Sequence, residues 1–205
     1  MRGKFITFEG PEGSGKSTQS RLLCEWLKKK NVSFVHTREP GGTKIGEELR
    51  QVLLDTKNKA MSVVCEMFVY QACRAQIMDE VILPALKKGK LVICDRFLDA
   101  TIAYQGYGSG LSVELIKKTG KVATRNTTPE LTILLDIESK EGLRRAKSKD
   151  RMERKPLSYH KRVRKGYLLL AKKEPKRIKV IKVHDDINKT QEMVRQKVQK
   201  CLGIK

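Results

Sequence analysis

A chain of 205 residues with 39% hydrophobic content is long enough for a single domain with a real core, which sets the expected boundaries at 1–205. Five scattered cysteines without a C-x-x-C pair exclude a disulfide framework and a zinc site, and no signal peptide or bilayer-length apolar run is present, so a cytoplasmic protein with no membrane partner is expected. The formal charge of +21 would suit a polyanion, but the basic residues of 140–182 come mixed with acids and without base-stacking aromatics, which favours a solvated basic face over a nucleic-acid site.

In chain order, "KFITFE" (4–9) predicts a first strand, followed by a glycine-rich turn and the helical pattern "STQSRLLCEWLKKK". "VSFVHT" (32–37) predicts a second strand, and 62–87 a long helix. "KLVICD" (90–95), "ELTILLDI" (130–137) and "RIKVIKV" (177–183) complete five apolar strands separated by helical patterns. Strands rich in Val, Ile and Leu, alternating with helices, specify an α/β fold: a five-stranded parallel sheet with helices on both faces and right-handed crossovers. Ligands of such a sheet collect at the carboxyl ends of its strands. The charged stretch 147–155 is the segment expected to move as a short lid.

The turn after the first strand fits G-x-x-x-x-G-K-[ST] at Gly10, Gly15, Lys16 and Ser17, in the strand–loop–helix context that a P-loop requires. Glycines there turn backbone N–H groups inward around phosphate oxygens, and residues 10–18, including Gly13, Ser14 and Thr18, form the expected nucleotide cradle. Lys16 would reach the terminal phosphates of ATP, and Ser17 would offer an oxygen to Mg²⁺. Asp95 ends the third strand where a P-loop protein keeps a Mg²⁺-holding carboxylate, although a helix N-cap is the simpler alternative. Arg96 follows with a cation aimed at the same crevice. A GTPase is disfavoured because "INKTQ" (187–191) lacks the aspartate of a guanine-reading motif, and a protein kinase because the loop type differs.

"TREPGGT" (37–43), "YQACR" (70–74) and "DRFLDATIAYQGYG" (95–108) resemble the signature segments of thymidylate kinases, and the resemblance runs from Phe5 to about Ala171. It implies a P-loop NTPase fold, transfer of a phosphoryl group from MgATP to dTMP, and a homodimer. Tyr70 stands where the family usually has phenylalanine, stacking on thymine, and Arg74 where an arginine meets thymine O4. The two lie four residues apart, on one helical face, which residues of an ordinary core and surface could also occupy. Thr101, Tyr104 and Gln105 share a face at i, i+3 and i+4. By resemblance Thr101 and Gln105 approach the polar edge of the base, and Tyr104 closes against the sugar where a ribose hydroxyl would sit. Arg38 and Arg96 match positions that bind the dTMP phosphate, Glu12 the acidic position that meets the sugar 3′-hydroxyl, and Arg50 is a further candidate.

Gly13 places the chain among family members that carry their catalytic arginine in the lid. "KSKDRMERK" holds that position at Arg151, with Arg154 and Arg145 as neighbouring alternatives; by itself the stretch reads as a solvated basic loop. Preference for thymine over uracil rests on one methyl group, worth about 1–3 kcal/mol, so dUMP is expected to be a poor substrate and not a forbidden one. Two other functions fit part of the pattern: a small-molecule P-loop kinase with another acceptor, and a nucleic-acid-associated P-loop ATPase.

Overall fold

The computed structural model describes residues 3–146 and 150–204. All five expected strands form one parallel sheet: β1 (Phe5–Glu9), β2 (Phe34–Arg38), β3 (Leu91–Asp95), β4 (Leu131–Asp136) and β5 (Ile178–Lys182), in the order β2-β3-β1-β4-β5. β1 lies at the centre, with Phe5 opposite Val92 of β3 and Ile6 opposite Leu131 of β4. The chain first builds toward β2 and β3 and then crosses to β4, so the strand order reverses at β1, where open parallel sheets form their crevice.

The alternation of side chains along each strand sorts the core. Ile6, Phe8, Ile93, Ile133 and Leu135 share a cluster with Leu23 and Leu27 of α1 (Lys16–Lys29) and with Val194 and Val198 of α9 (Ile187–Leu202). Phe5, Val92 and Cys94 point the other way, into a cluster with Ile77, Met78, Ile82 and Leu86. Leu134 and Ile178 meet Tyr167 and Leu170 of α8 (Leu157–Lys173) on that same face. Both faces are therefore covered, which is why these strands read as nearly continuous apolar runs.

α2 (Lys44–Leu54) starts at Thr43, whose Oγ1 accepts from the Gly46 N–H. α3 (Val63–Ile77) starts at Ser62, whose Oγ accepts from the Cys65 N–H. The helix expected over 62–87 is not uniform: α3 passes into a π-helical turn at Met78–Ile82 and ends as α4 (Leu83–Lys87). Pro84 accounts for the change. It has no N–H to donate, and its ring crowds the preceding turn, so a wider turn, closed by Leu83 N–H to the Met78 carbonyl, carries the chain past it.

A second π-helical stretch, Ile102–Gly108, follows the short α5 (Leu98–Thr101). Thr101, Tyr104 and Gln105 are consequently not spaced on an α-helical face as their sequence interval predicts. The glycines permit tight packing: a Cβ on Gly108 would stand 2.7 Å from the Tyr159 ring of α8. α6 (Val113–Ala123) and α7 (Ser139–Arg145) complete the helices. Of the expected lid, residues 147–149 lie outside the described residues. Asp150 Oδ1 accepts from the N–H groups of Met152 (2.9 Å) and Glu153 (3.0 Å), which fixes the turn that carries Arg151. Among the described residues no helix is long and apolar enough to cross a membrane.

Candidate active site

A cavity of about 590 Å³ opens at the carboxyl edge of the sheet, within the size range of small-molecule sites. The P-loop forms its floor. Gly13 sits at φ +66°, and a Cβ there would come within 1.9 Å of the Gly142 carbonyl oxygen in α7, so both backbone shape and space demand glycine. α1 begins at Lys16 immediately behind the loop, without a side-chain cap on its first N–H groups. Those donors and the helix dipole face the cavity as an anion site.

Lys16 is buried, and its Nζ donates to the carbonyls of Gly10 (3.1 Å) and Pro11 (2.8 Å). Burial, then the neighbouring Arg96 charge, lowers the lysine to about 8 against the pull of Glu12 and Asp95. Ser17 Oγ donates to Asp95 Oδ2 across the loop, while Asp95 Oδ1 is buried without a hydrogen-bond partner among the described residues. A hydroxyl and a carboxylate side by side, with one oxygen unsatisfied, suit a hard cation that takes oxygen ligands and keeps waters and phosphates in its shell.

Arg96 occupies the left-handed region at φ +69°, a costly conformation for a residue with a Cβ, and its backbone N–H is tied to the Phe8 carbonyl at 2.9 Å. The turn throws the guanidinium over the crevice. There it donates to Glu12 Oε2 (2.9 Å) and the Gly10 carbonyl (3.2 Å), and its carbon stands 4.9 Å from the Tyr104 ring centroid. Tyr104 donates its hydroxyl to the other Glu12 oxygen at 2.7 Å. Burial opposes the Glu12 charge, but Arg96 and Lys16 outweigh it and hold the carboxyl below its usual range. Beneath them, Glu9 accepts from the Phe97 N–H and the Tyr167 hydroxyl; burial, reinforced by Asp99, raises it to about 8.

At the far end of the cavity Tyr70, Arg74, Thr101 and Gln105 converge from α3 and the segment after β3. Arg74 is 1% exposed. It pairs with Glu39 (2.7 Å) and donates to Gln71 Oε1 (2.7 Å) and Thr101 Oγ1 (3.1 Å). Arg38 and Arg50 line the cavity between base end and P-loop; Arg38 is held by both oxygens of Glu47, and Arg50 donates to the Pro40 carbonyl at 2.8 Å.

Arg151 is not brought to the cavity. Its Nη1 meets Glu66 Oε2 at 2.5 Å, its Nε donates to the Leu53 carbonyl at 2.8 Å, and its Nη2 is buried without a hydrogen-bond partner among the described residues. Of the three lid cations, Arg145 lines the cavity as described, paired with Glu141 and Asp185. The cavity continues past it to Val183, His184 and Ile187, which the sequence did not mark because no short motif covers them. Glu66, Gln71 and Glu39 were missed as well. Glu66 and Tyr70 are one helical turn apart, so a carboxylate on the inward stripe of an otherwise apolar helix was a usable signal.

A family model described as thymidylate kinase matches residues 8–194. The chain is 46% identical to the thymidylate kinase of Symbiobacterium thermophilum over 97% of its length and 94% of that protein's. It is 45% identical to the one from Thermoanaerobacter sp., covering 91% and 96% of the two chains. Among solved structures, a crystal structure of thymidylate kinase from Ehrlichia chaffeensis superimposes with a TM-score of 0.81 at 36% identity, over 97% of this chain and 99% of that one.

Proposed function

The chain belongs to the thymidylate kinase family and transfers a phosphoryl group from ATP to dTMP, giving dTDP and ADP, and on that premise we propose how its residues divide the work. The observation that carries the division is the continuity of the cavity from the P-loop to Tyr70 and Arg74, with Arg96 and Glu12 at its midpoint. ATP lies on the P-loop, its β- and γ-phosphates on Lys16 and on N–H groups of residues 10–18, and its adenine toward Arg145, Val183 and His184. dTMP enters from the other end, stacking on Tyr70, with Arg74, Thr101 and Gln105 at its polar edge and Glu12 at the sugar.

An oxygen of the dTMP phosphate attacks the γ-phosphorus in line, and the β–γ bridging oxygen leaves with ADP. Two phosphate groups repel at this distance, so the reaction waits on neutralisation and alignment. Arg96 supplies both, because its strained backbone aims a fixed guanidinium at the midpoint; Arg38 and Arg50 approach the same phosphate from the α2 side. Tyr104, pinned by Glu12, walls the 2′ position and excludes ribose. Ser17 and Asp95 are the residues that would hold Mg²⁺, which when bound screens the β- and γ-phosphate charge. Arg151 leaves Glu66 and swings onto the transferring group when the lid closes.

We also propose a homodimer, cytoplasmic, with 1–205 as a single domain and 147–155 as its lid. The test of the chemistry is ADP release with dTMP, dUMP, ribo-TMP, AMP, GMP and shikimate in parallel. dTMP is expected to be strongly preferred, with dUMP weaker by a factor equivalent to about 1–3 kcal/mol. Arg151→Ala is expected to lose about 10³-fold or more in kcat while still binding ATP. Turnover that depends on added DNA or RNA instead would sink the assignment.

A further inference from the structure

Glu66 enters the division above only as the partner that Arg151 leaves, yet it is 1% exposed and ion-paired with Arg151 and Lys155. A carboxylate that deep persists only where partners replace water. Its two oxygens face different functions. Oε2 takes the lid cations, Arg151 Nη1 at 2.5 Å and Lys155 Nζ at 3.5 Å. Oε1 takes Gln105 Nε2 at 2.7 Å, inside the base end of the cavity.

An ionised carboxylate accepts hydrogen bonds and donates none, whereas a carboxamide has one accepting and one donating end. Gln105 must therefore turn its NH₂ to Glu66, which leaves its carbonyl oxygen as the atom it offers the cavity. We infer that Glu66 is a positioning residue for base specificity: by fixing the orientation of the Gln105 amide, it makes the pocket accept a pyrimidine that presents N3–H and reject one whose N3 is a bare acceptor. This rests on the placement of the base beside Gln105 proposed above. A thymine or uracil ring presents a donor at N3, and cytosine a lone pair, which would face the amide oxygen without a proton between them. Lys155 and Arg151 belong to the same cluster, both on the Oε2 side, so that Oε1 is left to Gln105.

Two variants separate charge from shape. Glu66→Gln keeps the volume but can donate as well as accept, so both Gln105 orientations become available. Glu66→Asp is shorter by one methylene but still only accepts. Values of kcat/KM are measured with dTMP and dCMP, after thermal unfolding has shown which variants fold. The expected result is that Glu66→Gln lowers the dTMP-to-dCMP ratio by about tenfold or more, through a loss on dTMP and a gain on dCMP. Glu66→Asp retains more of the ratio than the isosteric Gln, and if only this variant folds, a ratio near that of the parent supports the role and a collapsed ratio overturns it. Equal losses on both substrates in Glu66→Gln, or an unchanged ratio, overturn the inference and leave a packing role. Gln105→Ala distinguishes the underlying placement: if it leaves the ratio unchanged, Gln105 does not read the base, and the role of Glu66 falls with it while dTMP phosphorylation stands.

Discussion

Lys16 carries a pH dependence that follows from its surroundings. Burial and the Arg96 charge hold it at about 8 in the free protein, where it donates to two loop carbonyls and to Ser14 Oγ at 3.4 Å. Bound phosphates favour the charged ammonium, so its pKa rises in the complex. Below about pH 7 the lysine is already charged and binding takes up no proton there; above about 8 a proton must be taken up, and the dissociation constant of MgATP weakens by about tenfold per pH unit. Calorimetric titration across that range checks the slope. In Lys16→Arg, whose guanidinium stays charged, this slope is expected to vanish; a parallel slope in the variant assigns the effect to another group. The same scale shows what a sequence conveys about single residues. Lys16, Ser17 and Asp95 were legible because motif spacing fixes their neighbours. Glu39 was not, because a lone carboxylate in a turn reads as solvated until its burial is known.

Secondary-structure elements were the most legible level, since strand periodicity and strand ends survive without tertiary information. The π-helical turns were not legible, because they arise from Pro84 and from the packing of Ile102–Gly108 on α8. The contact of α7 with the P-loop has a consequence at this scale. Gly13→Ala places a methyl group against the Gly142 carbonyl in a left-handed backbone, and this is backbone on backbone, with no flexible side chain to yield. The left-handed conformation alone costs an alanine about 1–2 kcal/mol, and the close approach adds to it. The variant is expected to melt several degrees lower and to bind ATP more weakly, because the loop must shift. Unfolding scans with and without MgATP check this, and an unchanged melting temperature would show that α7 moves aside freely.

At the scale of the whole molecule, the formal charge of +21 does not describe the active-site crevice, where Arg38, Arg74 and Arg96 each have a carboxylate partner. The surface offers a second feature, an exposed apolar stripe of Val64 and Phe68 on α3 beside Ile45 and Val52 of α2, with Phe68 51% exposed. Such a stripe on a helix pair that also supplies Tyr70 and Arg74 suits the proposed homodimer. Phe68→Glu is expected to convert a dimer to a monomer in sedimentation velocity; a monomeric parent protein would remove the proposal. Continuity between that face and the base pocket predicts a higher KM for dTMP in the monomer.

By itself the sequence determined the sheet and the family, and it marked the P-loop motif and the aspartate and arginine at the end of β3, while the base-end residues were marked by resemblance alone. The sheet and the P-loop motif depend on local spacing: strand alternation and a loop closed within a few residues. Only the tertiary structure decided which charges face one another. It set Arg151 against Glu66 and outside the cavity lining, joined Glu12 to Arg96 and Tyr104, and closed α7 over Gly13. Those pairings link residues far apart in the chain, and the burial that gives a charge its meaning is a property of the packed whole.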